Sequence, residues 1–101
     1  MKSEKRRRLA AAGWEETTVK DFFNLSEADV QYIEMKLALS RLLRSVRERR
    51  RLTQTKAATL LKTSQSRFAR MEAGDPSVSL DLLVRGLFAL GATSKDLLKA
   101  A

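Results

Sequence analysis

Leu52 to Gly74, LTQTKAATLLKTSQSRFARMEAG, is the stretch on which the fold of this chain turns. Thr53 suits a helix N-cap, and Gln54 opens a run in which Ala57, Ala58 and Leu61 share one face. The run stops at Lys62-Thr63. Ser64 then caps a second helix, Gln65 to Ala73, whose apolar Phe68 and Met71 lie one turn apart. Gly74 stands where a left-handed C-terminal residue is expected. The stretch therefore predicts two helices of roughly nine residues across a turn of about three or four.

That arrangement is a helix-turn-helix. Its second helix begins Gln65, Ser66, Arg67 and carries Arg70 one turn later, residue types that can pair with base edges in a DNA major groove. Arg47, Leu52-Thr53-Gln54, Ala58, Ser64-Gln65-Ser66, Glu72 and Gly74 together resemble the helix-turn-helix of the lambda repressor/Cro superfamily, the XRE family. The similarity continues through SVSLDLL (Ser77 to Leu83) and Leu90-Gly91, so it covers roughly Leu39 to the C-terminus. Many proteins of this pattern are HigA-like antitoxins of toxin–antitoxin modules. Two positions depart from it. Lys62 replaces the usual turn glycine, at a cost of about 1 kcal/mol if it is left-handed. Ala69 replaces a serine, which removes one phosphate-binding hydroxyl.

The resemblance implies roles for individual residues. Gln65, Ser66, Arg67 and Arg70 occupy or flank the base-reading positions. Thr53, Gln54 and Ser64 sit at helix starts, where backbone N–H groups attract phosphate, and Lys56 and Lys62 add phosphate-binding cations. Arg47 and Glu72 match an ion pair that ties the first helix of the domain to the reading helix. Bland alternatives stay open: Gln65 and Ser66 suit helix capping, and Arg67 and Arg70 suit phosphate as well as bases. Phe68 points opposite to Ser66 and Arg70 and is expected in the core.

Charge supports the same region. Residues 41–70 carry ten basic side chains against Glu48 alone, more than the net charge of +8 for the whole chain of 101 residues. A surplus on the residues of the motif is an electrostatic footprint for a phosphate backbone. Residues 1–13 carry five bases against one acid, whereas residues 14–36 carry six acids against two bases. With no cysteine and no histidine, disulfides are excluded and no metal site or cofactor is expected. No glycine-rich phosphate loop or paired carboxylate site appears, so an enzyme is not expected. No apolar run is long enough to span a membrane and no signal peptide is present, which points to a cytoplasmic, nucleoid-associated protein.

In order, residues 1–13 read as a flexible basic arm and 14–26 as an extended covering segment rich in Trp14, Val19, Phe22, Phe23 and Leu25. Residues 27–101 read as the DNA-binding domain, with the helix-turn-helix at 53–74. Ser26, with Asp29 three residues on, caps a long helix from Glu27 to about Arg50. Its stripe of Met35, Leu39, Leu42, Leu43 and Val46 should lie under the motif. Ser79 caps a further helix with an apolar stripe of Leu80, Leu83, Val84, Leu87 and Phe88. Gly91 ends it, and Ser94 caps a last short helix. Leu82 and Leu90 lie off the stripe, as dimer contacts or as contacts to the last helix. The fold expected is all-α: a five-helix, lambda-repressor-like domain with a basic N-terminal arm.

Two functions fit. One is a sequence-specific transcriptional regulator, a repressor in the family's manner, that binds a double-stranded DNA operator as a homodimer. The other is an antitoxin that neutralises a HigB/RelE-like toxin by direct contact, for which the acidic segment Trp14–Glu34 would be the surface. A toxin gene beside this one would separate them.

Overall fold

The computed structural model of the chain describes residues 26–101. The expected arm and covering segment lie outside these residues, Ser26 apart. Two compact units divide the chain, 1–35 and 36–101. Among the described residues the structure is all-helical, with α1 (Glu27–Arg49), α2 (Gln54–Leu60), α3 (Gln65–Ala73), α4 (Leu80–Ala89) and α5 (Ser94–Ala100).

In the first unit, Ser26 and Asp29 form a reciprocal capping box at the start of α1. Ser26 N–H donates to Asp29 Oδ2 at 3.1 Å, and Asp29 N–H donates to Ser26 Oγ at 3.1 Å. Val30 and Glu34 are buried there. In the second unit α1 buries Leu39, Leu43 and Val46, while Leu42 of the expected stripe is only half-buried, as is Met35 in the first unit. Ala57 and Ala58 of α2, Phe68 and Met71 of α3, and Leu83 and Leu87 of α4 join the core, with Val78, Leu90 and Ala92 from the connections. Small residues on α2 allow its backbone to approach its neighbours closely, which is why a seven-residue helix can be seated at all.

Helices α1 to α4 end in the same way. The chain turns left-handed at Arg51 (φ 57°), Lys62 (φ 56°), Gly74 (φ 74°) and Gly91 (φ 98°). At each, two N–H groups return to the last carbonyls, as Leu52 N–H does to Arg47 O (3.1 Å) and Thr63 N–H to Ala58 O (2.9 Å). Glycine takes this conformation without a Cβ penalty. At Arg51 and Lys62 a cation beside the negative helix end offsets part of the strain. Arg50 closes α4 from outside, its Nη1 donating to Leu90 O at 2.7 Å.

Three expectations need correction. The cap of α5 is Thr93, not Ser94: Thr93 Oγ1 accepts from Asp96 N–H at 3.2 Å, and Asp96 Oδ2 accepts from Thr93 N–H at 2.8 Å. Phe88 is not core but 48% exposed, and Leu90 is fully buried and so is no dimer contact. One cause explains both of the latter. The buried face of α4 is centred near Leu83 and extends to Gly86, where a Cβ would lie 2.9 Å from Leu61 Cδ2 and 3.0 Å from Met71 Cε. A glycine adds nothing to an apolar pattern, so the stripe read from sequence was centred too far round. At about 100° per residue Leu90 falls beside Gly86 and Leu83, and Phe88 about 150° away.

Candidate nucleic-acid interface

Every feature of this site lies in the second unit and is built on α2, α3 and the ends of their neighbours. Ser64 precedes α3 in extended backbone (φ −78°, ψ 155°), and its Oγ accepts from Arg67 N–H at 3.0 Å. Thr53 does the same for α2, accepting from Lys56 N–H at 3.1 Å. In each cap a lone pair is used and the hydroxyl hydrogen is left over. Capping and donation to a phosphate are therefore compatible in one side chain.

The faces of α3 are sharply divided. Phe68 and Met71 have no exposed surface, whereas Gln65, Ser66, Arg67 and Arg70 are all exposed. Ser66 and Arg70 lie one turn apart on the side opposite Phe68 and Met71, with Gln65 flanking them towards α2 and Arg67 towards α4. Arg67 and Arg70 line one cleft with Ser77, Val78, Ser79 and Leu82, about 400 Å³ in volume. No ion pair ties either arginine to an acid among the described residues.

On the α2 side a hydrogen-bond relay fixes the helix. The Arg47 guanidinium forks onto Glu72, Nε to Oε2 and Nη2 to Oε1 at 3.2 Å, and its Nη1 donates to Leu52 O at 2.9 Å. The two side chains are 14% and 5% exposed. Hydrogen bonding to Glu72, which outweighs the opposing effect of burial, raises the Arg47 pKa above its ordinary value, so the guanidinium keeps its charge. Gln54 Nε2 donates to Glu72 Oε1 at 2.9 Å, and Gln65 Nε2 donates to Gln54 Oε1 at 2.8 Å. A carboxylate only accepts, so Gln54 must turn its NH₂ to Glu72 and its oxygen to Gln65. The relay runs from the α1 end to the first residue of the exposed face.

Gln54 is thus half-buried and committed at both ends of its amide, unlike the other residues expected to meet phosphate. Thr53, Lys56, Lys62 and Ser64 are exposed around the starts of α2 and α3 or the turn between them. Of the arginines counted in the basic surplus, Arg47 is turned inward onto Glu72, while Arg50 stays exposed with its Nη1 donating to Leu90 O. Sequence reasoning missed Gln54 as a link and Ser77 and Ser79 as cleft walls. A glutamine at the first position of both α2 and α3 is the signal that could have revealed the link. Among the described residues no three acids, histidines or cysteines converge to hold a metal ion. Likewise, no described helix is long and apolar enough to cross a membrane.

No curated protein and no solved structure matches the chain. A family model for the helix-turn-helix domain matches residues 38–101, which covers α2 to α5, about half of α1 and the whole of the α3 site. The exposed polar face of α3, its capped start and this match agree, and the chain belongs to the helix-turn-helix domain family, a family of DNA-binding regulators.

Proposed function

We propose that the protein is a sequence-specific transcriptional regulator of the XRE type, acting as a repressor on a double-stranded DNA operator. Its reading helix is α3. One observation carries this: α3 shows Gln65, Ser66 and Arg70 outward, while Phe68 and Met71 anchor it and the Arg47–Glu72–Gln54–Gln65 relay holds its first turn. A reading helix needs a fixed register against the bases, and each bidentate pair with the correct base discriminates by about 1–3 kcal/mol. Thr53, Lys56, Lys62 and Ser64 supply backbone contacts on the same side, and Gln54 supplies its backbone N–H at the start of α2.

The protein works as a homodimer, because half-sites read by two copies double the recognised sequence. Selection from a random duplex pool is the test. An enriched, two-fold symmetric consensus with half-sites about 10 bp apart, or a multiple of that, is expected. An unenriched pool would refute the reading. The acidic balance of residues 14–36 favours a second role as a HigA-like antitoxin, with a basic toxin of HigB/RelE type as partner. That role adds to DNA binding and does not replace it.

A further inference from the structure

We infer that Arg67 and Ser79 clamp a DNA backbone phosphate in the cleft between α3 and the start of α4, which leaves base reading to Gln65, Ser66 and Arg70. The inference rests on the DNA-binding reading above and divides the labour within it. Arg67 lies off the Ser66–Arg70 ridge, on the flank that faces α4, and lines the cleft with Ser79.

Of the four side chains with donors that line the cleft, Arg70 shares the outward ridge with Ser66 and is assigned to the bases, which leaves Ser77, Ser79 and Arg67. Ser77 is spent: its hydroxyl donates to Asp75 Oδ1 at 2.7 Å and its N–H donates to the same oxygen at 2.8 Å. Ser79 differs. Its Oγ accepts from Leu82 N–H at 3.1 Å as the α4 cap, so its O–H remains a donor. The Arg67 side chain has five N–H donors and no acid partner among the described residues. A guanidinium and a hydroxyl on the two walls of one open, polar cleft suit a phosphate diester, which has two charged oxygens to share between them. The edge of a base would leave the Ser79 wall unused.

Replacing Ser79 by alanine would also remove the α4 cap, so capping variants are the instrument. Ser79→Asp keeps the cap but brings a negative charge and no donor. Ser79→Asn keeps the cap and still donates. Binding of the selected duplex and of scrambled duplexes is measured across a salt series, beside thermal melts and pool selection with Arg67→Ala. Ser79→Asp should melt like the parent yet bind every duplex about tenfold or more weakly, whereas Ser79→Asn should stay close to the parent. Arg67→Ala should keep the parent consensus and lower the salt slope by about 1. A Ser79→Asp variant that binds like the parent overturns the clamp, and so does a changed consensus in Arg67→Ala. Both results would leave the α3 reading standing, provided that the parent enriches a consensus. If the parent enriches none, the DNA reading itself fails and the clamp with it.

Discussion

The side-chain amide of Gln54 lies 2.9 Å from Glu72 Oε1 and connects the buried end of the ion pair to the surface through Gln65. Its geometry makes a prediction about charge. Gln54→Ala removes a hydrogen bond to a charged group and should cost about 1.5–3 kcal/mol. Gln54→Glu keeps the size but sets a second carboxylate against Glu72, so it should cost more than the alanine. Urea melts of the two variants rank them, and equal midpoints would mean that Gln54 does not face Glu72 in solution.

Breaking the pair itself is the second expected outcome. With side chains 14% and 5% exposed, Arg47→Ala or Glu72→Ala strands a nearly buried charge and should cost about 3–5 kcal/mol. The double variant should cost much less than the sum of the singles, because no charge is then stranded. Arg47→Lys should not restore stability, since an ammonium cannot fork onto Glu72 while also donating to Leu52 O. A double-mutant cycle by chemical denaturation measures the coupling. Additive singles would contradict the fork.

Lys62 sets stability against binding. Its φ of 56° is left-handed, so Lys62→Gly should raise stability by up to about 1 kcal/mol, less what glycine adds to the entropy of the unfolded chain. The same change removes a cation from the turn between α2 and α3. DNA affinity should fall, and the salt slope with it, by about 1 if Lys62 meets a phosphate. Melting temperature and affinity are thus expected to move in opposite directions. A variant that gains stability without losing affinity would show Lys62 to be a bystander.

Acid should weaken two helix caps and one turn. Hydrogen bonds from backbone N–H and hydroxyl groups, of Ser26 to Asp29, of Ser77 to Asp75 and of Thr93 to Asp96, hold these carboxyls below their ordinary value of 3.8. A folded pKa below the unfolded one means that the unfolded chain binds protons first. The stabilisation is therefore complete above about pH 4–5 and is lost as pH falls through the folded values. Stability measured from pH 6 down to 2 should be flat and then fall, and Asp96→Asn should shrink the fall. An unchanged profile in Asp96→Asn would remove the α5 cap from the account.

Much of this was legible in the sequence, and the rest was hidden for physical reasons. Thr53, Ser64 and Ser79 are caps because a hydroxyl before an apolar period has few other uses, and Gly74 closes α3 for its lack of a Cβ. Thr93-Ser94-Lys95-Asp96 has the same spacing as Ser26 to Asp29, so the true cap of α5 was readable and the adjacent serine obscured it. The buried face of α4 was only partly readable by periodicity, since one edge of it is Gly86, a residue that adds no apolar side chain to the pattern. Nor could net charge tell which arginines face outward. Arg47 counts towards the basic surplus but is turned inward onto Glu72, and Arg50, though exposed, spends Nη1 on Leu90 O.

The last prediction separates reading from holding within the exposed set. Arg70 shares the outward ridge of α3 with Ser66, opposite the buried Phe68 and Met71, whereas Lys56 is exposed in the first turn of α2. An arginine on that ridge can fork onto guanine O6 and N7, and its loss removes about 1–3 kcal/mol of discrimination at one base pair. A lysine on phosphate holds every sequence equally. Arg70→Ala should therefore relax the consensus at one position per half-site as well as weaken binding. Lys56→Ala should weaken all sequences alike and lower the salt slope by about 1. Selection from a random duplex pool with the parent and both variants reads the difference directly. If Arg70→Ala returned the parent consensus at lower affinity, Arg70 would belong with Arg67 in the phosphate cleft that both line, and the reading ridge would shrink to Gln65 and Ser66.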